Sequence, residues 1–152
     1  MIVWPETAVP FYLLSPAYSD EYRSLREYVA GVGVPLLTGV PDIVMYTDPA
    51  EAPRGSKTFP DGTRYETFNS SILLLPGSDT VQKFAKTLLV PFAERVPFSD
   101  MLSFLNAARW NFGLGGWSFG RDTALFRLPL RGGDTVEFGN LICYESAYPG
   151  YV

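Results

Sequence analysis

Apolar positions along this chain fall into short runs cut by proline and glycine, with two stretches at helical spacing. Residues 1–4 form an apolar run that stops at Pro5 and predicts the end of a buried strand. Ser19, Asp20 and Glu21 supply an N-cap and an acidic first turn for a helix. Tyr22, Leu25 and Val29 follow at helical spacing, and Gly31 or Gly33 can close that helix. Residues 34–40 predict a second buried strand. Residues 48–63, rich in proline, glycine and charge, predict an exposed loop or hairpin tip. Residues 67–75 return to strand character and end at Pro76-Gly77. Ser99-Asp100 begins a second predicted helix, with Met101, Leu102, Leu105 and Ala108 on its apolar face. Residues 111–120 form a loop rich in glycine and aromatic residues, and residues 124–128 and 136–144 are the last predicted strands.

Strands alternating with helices predict an α/β domain whose sheet is covered by helices. Chemistry in open α/β sheets collects at the carboxyl ends of strands. Glu6, just after the first strand, and Cys143, near the end of the last predicted one, both suit that placement.

Composition narrows the chemistry. The 152 residues are 47% hydrophobic and carry a net charge of −4, which describes an ordinary globular segment. Twelve Lys and Arg scattered among sixteen acids form no basic run, so a nucleic-acid partner is not expected. No apolar run approaches the roughly 18–20 residues that span a bilayer. A single cysteine excludes an internal disulfide framework within the chain, and the absence of histidine removes Ser-His-Asp and Cys-His mechanisms. Any base must come from Glu, Asp, Lys or Tyr.

Three positions then stand out, each with a plain structural alternative. A lone cysteine in an apolar strand is ordinarily inert core. Cys143 is followed by Tyr144-Glu145-Ser146 and Pro149-Gly150, however, so the chain turns just after it and the thiol can be presented. Glu6 lies between Pro5 and Pro10 and is either a surface acid in a stiff loop or a general base held by that stiffness. Lys86 begins an apolar segment, where an ammonium can stabilise an oxyanion and favour a thiolate. Lys83 competes for that role. Spacing alone decides none of the three.

Four motifs occur in order: Val3-Trp4-Pro5-Glu6-Thr7-Ala8, Asn69-Ser70, Lys86 with residues 89–97 (LVPFAERVP), and Ile142-Cys143-Tyr144-Glu145. In this order they resemble the carbon–nitrogen hydrolase (nitrilase-like) domain of the apolipoprotein N-acyltransferase family. The resemblance implies an αββα sandwich and a Glu-Lys-Cys triad of Glu6, Lys86 and Cys143. Lys86, not Lys83, precedes Leu-Val-Pro-Phe at the family spacing. Glu94, Tyr144 and Glu145 match supporting positions near the family's active site. By the same resemblance, Cys143 takes an acyl chain from a membrane phospholipid as a thioester. The acyl chain then passes to the N-terminal amine of a diacylated apolipoprotein, with no cofactor. Glu6 is then the base, and Lys86 with the Tyr144 backbone N–H lines the oxyanion hole. Glu94 positions the lysine or the incoming amine. The implied location is the bacterial inner membrane, with this domain on its extracytoplasmic side.

Departures from the family pattern are Phe84 where tyrosine is common, Leu88 where histidine is common, and Ala93 where glycine is usual. None removes a triad group. Residues 1–152 are expected to be a partial, truncated domain, lacking its start, the part after the nucleophile and the transmembrane helices. Such a segment is expected to be inactive and poorly stable alone, since its sheets would expose unpaired edges. A soluble nitrilase-type amidase using the same triad is the alternative enzyme, and a catalytically dead nitrilase-like binding module is the third reading. Trp110, Phe112, Trp117 and Phe119 can dip into a bilayer interface or serve as core.

Overall fold

The computed structural model describes residues 1–91, 93–94, 116–121 and 123–151. The second predicted helix and residues 110–115 lie outside the described residues. The rest is mixed α/β, as the alternation of elements predicts.

The main sheet holds β1 (Ile2–Val3), β2 (Leu36–Tyr46), β3 (Lys57–Thr58), β4 (Arg64–Leu74) and β5 (Val81–Ala85). Its centre is the antiparallel β2–β4 ladder, which runs from Leu36↔Leu74 to Tyr46↔Arg64. β1 lies parallel to β2 on one side. On the other side β3 and β5 share the free edge of β4, β3 at its beginning and β5 at its end. A ribbon of β6 (Phe126–Pro129) and β7 (Thr135–Phe138) stands apart. It is tied to β5 by the Gln82 side chain, whose amide donates to the Arg127 carbonyl (2.8 Å) and accepts from the Arg127 N–H (2.6 Å).

Both faces of the ladder are covered over residues 36–42 and 66–74, so burial there is continuous and not alternating. Leu36, Val40, Ile72 and Leu74 meet Val9, Leu13 and Val29, the last on helix α1 (Ser19–Val32). Leu37 and Leu73, one position out of phase, meet Phe84, Phe126 and Ile142 on the opposite face. Each such fully buried side chain contributes roughly 1.5–3 kcal/mol.

Helix α1 presents Tyr22, Leu25 and Val29 to the sheet, as their spacing predicts. Gly33, not Gly31, ends it: its φ of 67° is left-handed, and its N–H donates to the Val29 carbonyl at 3.0 Å. Ser19 is the first helical residue and not the cap, because a 3-10 turn at Pro16–Tyr18 runs directly into the helix.

Several strand expectations change. β1 is an edge strand with Val3 62% exposed, not a buried one. β2 runs on through Pro41 to Tyr46. The Pro35 and Leu37 carbonyls and both Gly39 backbone groups face the β1 side. Pro41 shares their parity, so its missing N–H costs no bond to β4. β4 begins at Arg64, earlier than expected, and the loop before it contains β3. β5 has no counterpart among the predicted strands. β7 ends at Phe138, so Cys143 does not lie in a strand; it opens a 3-10 turn, Cys143–Ala147.

Candidate active site

Glu6 is placed by backbone lying on backbone. The Trp4 N–H donates to the Leu37 carbonyl (2.8 Å), and the chain then leaves β1 through Pro5 and a left-handed Thr7 (φ 49°). This loop rests on Gly39 of β2, whose N–H donates to the Pro5 carbonyl at 3.3 Å. A Cβ on Gly39 would stand 2.5 Å from the Thr7 nitrogen and 2.7 Å from the Glu6 Cα. Only glycine admits the loop at that depth.

Lys86 follows β5 directly. Its N–H donates to the Asn69 carbonyl (2.8 Å), and its own carbonyl accepts from the Gly120 N–H (2.8 Å). Its side chain is fully buried, and Nζ donates to Glu6 Oε1 at 3.0 Å and to Glu94 Oε1 at 2.8 Å. Lys83, the competing lysine, pairs with buried Asp42 at 2.5 Å and touches neither carboxylate. The geometry therefore separates two lysines that composition leaves equal.

Glu94 grips the loop after Lys86: its Oε2 accepts from the Val90 N–H (2.7 Å), and its own N–H donates to the Val90 carbonyl (2.9 Å). Asn69, on β4, donates through Nδ2 to Glu6 Oε1 (2.5 Å) and to Glu94 Oε1 (3.3 Å). Two donors, Lys86 Nζ and Asn69 Nδ2, thus hold the two carboxylate oxygens together. Both neighbours of the Asn69 amide are acceptors, so its nitrogen must face them, and Oδ1 is buried with no partner among the described residues.

Burial acts to raise the Glu6 pKa, but hydrogen bonds from Lys86 and Asn69, the Lys86 charge and the nearby Cys143 thiol outweigh it. The net effect holds Glu6 below its ordinary value. Burial likewise acts to lower Lys86, but its hydrogen bonds to Glu94 and Glu6, and the charges of both, raise it above the ordinary lysine value. At neutral pH the pair is carboxylate and ammonium.

Cys143 is exposed and adopts φ 51°, a left-handed conformation sparsely populated outside glycine. Buried Glu145 holds the turn beneath it. One oxygen of Glu145 accepts from the Thr87 N–H (2.7 Å), the Thr87 hydroxyl (2.8 Å) and the Leu88 N–H (3.2 Å). The other accepts from the Ile142 N–H at 2.8 Å. One carboxylate therefore ties the segment after Lys86 to the turn that carries Cys143. Tyr144, beside the cysteine, accepts at its hydroxyl from Tyr148 (2.8 Å) and packs edge-on against that ring. Glu6 and Cys143 line one cavity of about 160 Å³, together with Trp4, Ser70, Ser71 and Asn140.

The structure thus brings Glu6, Lys86, Glu94 and Cys143 together, with Glu145 beneath them. Asn69 and Gly39 also belong to the site, and neither is assigned a role from the sequence alone. Their signals are present there: an Asn-Ser-Ser run directly ahead of the apolar residues 72–75, and a glycine inside a strand.

No protein-family model matches the chain. Curated relatives do. It is 39% identical over 154 residues to an apolipoprotein N-acyltransferase of Chlorobaculum tepidum, covering 100% of this chain and 28% of that protein. It is 33% identical to one of Pseudomonas aeruginosa, covering 99% of this chain and 25% of the relative. This chain is an apolipoprotein N-acyltransferase homologue. A further relative, apolipoprotein N-acyltransferase 2 of Treponema pallidum, is 29% identical over 98% of this chain. The chain spans about a quarter of the length of these apolipoprotein N-acyltransferases. No helix among the described residues is long and apolar enough to cross a membrane.

Proposed function

We propose that the protein carrying this chain is an N-acyltransferase that moves an acyl chain from a phospholipid, through a Cys143 thioester, to the N-terminal amine of a diacylated apolipoprotein. The observation that carries this reading is the pairing of Lys86 with Glu6 beside an exposed thiol on a left-handed turn, in a homologue of acyltransferases.

In the first half-reaction Glu6 takes the Cys143 proton and the sulfur attacks the ester carbonyl carbon. The carbonyl electron pair moves onto oxygen, and Lys86 with the Tyr144 backbone N–H stabilises that oxyanion. Collapse breaks the ester C–O bond, and the departing alkoxide of the lysophospholipid takes the proton from Glu6. In the second half-reaction the amine attacks the thioester, Glu6 accepts one N–H proton, and the C–S bond breaks. The returning proton restores the thiol. A carboxylate held low is a weak base at rest; as Lys86 turns toward the oxyanion its hold on Glu6 relaxes and Glu6 gains basicity. Glu94 keeps Lys86 in place through that exchange, and Glu145 holds the nucleophile turn.

The same reading makes residues 1–152 part of a nitrilase-like αββα sandwich in a longer membrane protein, with this domain on the extracytoplasmic side of the bacterial inner membrane. The greater length of the relatives supports it. A nitrilase-type amidase would instead load Cys143 from a small carbon–nitrogen substrate and pass the acyl group to water, and the relatives' names favour transfer to an amine.

The test is thioester trapping. Full-length protein in vesicles containing a phospholipid with a labelled acyl chain should acquire hydroxylamine-sensitive label, lost in Cys143→Ala and discharged by a peptide with a diacylated N-terminal cysteine. Label that forms but leaves only to water would overturn transfer to the amine and leave a lipid-ester hydrolase, whereas no label on the wild type would overturn the phospholipid-derived acyl-enzyme and favour the amidase.

A further inference from the structure

Residues 116–121 (GWSFGR) contribute no group to the reaction above, yet they hydrogen-bond the backbone carbonyls of both Lys86 and Glu94. The segment takes the place beside β4 that β5 gives up. The last β5 pair is Ser70↔Ala85, the Lys86 N–H then reaches the Asn69 carbonyl, and the next outward carbonyl, Thr67, accepts from the Ser118 N–H at 2.6 Å. The Thr67 hydroxyl donates to the Gly116 carbonyl at 3.2 Å. From this rail the segment donates to both lysine-site residues: the Trp117 N–H to the Glu94 carbonyl (3.3 Å) and the Gly120 N–H to the Lys86 carbonyl (2.8 Å).

Two features fix its register. Gly120 lies so close to the end of β5 that an added Cβ would collide with the Ala85 carbonyl and stand 3.0 Å from the Lys86 oxygen. Arg121 then anchors the segment's end, with one guanidinium nitrogen 3.1 Å from each oxygen of Glu66. Glu66 is buried in β4 next to Thr67, and the Tyr46 hydroxyl also donates to it at 2.6 Å. Arg121 is the cation paired with this buried carboxylate, and leaving such a charge unpaired is costly, so the pair gives the segment's end a fixed seat.

We propose that residues 116–121 brace the site from behind, and that Arg121, seated on Glu66, is the positioning residue that sets where Lys86 and Glu94 stand relative to Glu6. The lysine carbonyl is one bond from its Cα, so a slip of the brace moves the ammonium directly. A displacement near 1 Å is enough to cost on the order of a hundredfold in rate. The effect on acyl transfer rests on the function proposed above; the effect on the thiol's surroundings does not.

The experiment uses full-length protein with Arg121→Met, Arg121→Lys, Gly120→Ala and the pair Glu66→Gln/Arg121→Met. Readouts are the single-turnover acylation of Cys143 by a labelled phospholipid, the pH profile of Cys143 alkylation by iodoacetamide, and thermal unfolding. Arg121→Met and Gly120→Ala should slow acylation by roughly tenfold or more and shift the alkylation profile. Arg121→Lys should restore much of both. The double variant removes the buried charge that needs a cation, so its Tm should recover while acylation stays slow. A wild-type rate and profile in Arg121→Met, or recovery of rate together with Tm in the double variant, would overturn the brace. If wild-type Cys143 is alkylated but never acylated, the acyltransferase reading fails, and the alkylation profiles alone decide the brace.

Discussion

Asn69 Nδ2 lies 2.5 Å from Glu6 Oε1, a bond that joins the middle of β4 to the loop leaving β1. The same carboxylate oxygen also receives Lys86, so a donor from β4 and one from just past β5 converge on it. Glu94 Oε1 receives the same two donors. Two carboxylates can stand this close because a buried ammonium and an amide lie between them.

Replacing Lys86 by Met removes that cation and leaves Glu6 and Glu94 facing each other. Breaking a buried pair costs about 3–5 kcal/mol. Lys86→Met should lower Tm sharply and abolish labelling of Cys143 by the phospholipid. Acylation at the wild-type rate would show that the ammonium has no part in the chemistry.

The pH dependence follows from the two shifts. Glu6 is held low, so its contribution is present above the unfolded carboxylate pKa of about 4.3 and is lost as pH falls through the lower folded value. Lys86 is held high, so its contribution is present below the unfolded value of about 10.4 and is lost as pH rises through the higher folded one. Tm followed across pH should fall at both limits, and Glu6→Gln should flatten the acid limb. An acid limb unchanged in Glu6→Gln would assign it to other carboxylates.

Gly39→Ala adds one methyl group where backbone meets backbone. The nearest atoms belong to Pro5, Glu6 and Thr7, none of them the yielding end of a side chain. Overpacking of this kind costs about 1–3 kcal/mol. The expected result is a modest fall in Tm with a much larger fall in Cys143 acylation, because the displaced loop carries the base. Equal sensitivity of both measurements would argue for a purely structural effect.

Glu145→Ala strands the Thr87, Leu88 and Ile142 N–H groups, each worth about 1–3 kcal/mol when left buried and unpaired. Glu145→Gln keeps one acceptor oxygen but turns an NH2 toward one set of donors. Thermal unfolding should rank wild type above Gln and Gln above Ala. Gln and Ala falling together would mean that the charge matters more than the acceptor count.

Much of this was legible in the sequence. The helix at Tyr22, Leu25 and Val29 follows from 3.6-residue spacing, and the ladder strands from apolar runs between turn residues. Pro41 hid the second half of β2 because a proline ordinarily ends a strand, and nothing local reveals which side of the ladder its missing N–H faces. β5 (VQKFA) was hidden for another reason: it has one buried residue, Phe84, and takes its place from the β4 edge. The strand expected through Cys143 failed because the apolar residues after Phe138 pack as a turn, with Ile142 in the core and Glu145 bonding back to its N–H. Glu6, Lys86 and Cys143 emerged from motif order, whereas Asn69 and Gly39 act through contacts between chain segments that spacing cannot report.

The β2–β4 ladder needs only residues 36–74, a short stretch of chain with local pairing. Synthesis delivers the amino-terminal part first. The base loop can therefore settle on Gly39, and β5 can carry Lys86 to its place, before residue 143 has left the ribosome. In this order the sulfur is the last of the three groups to arrive, and the Glu145 carboxylate that comes just behind it locks the segment after Lys86.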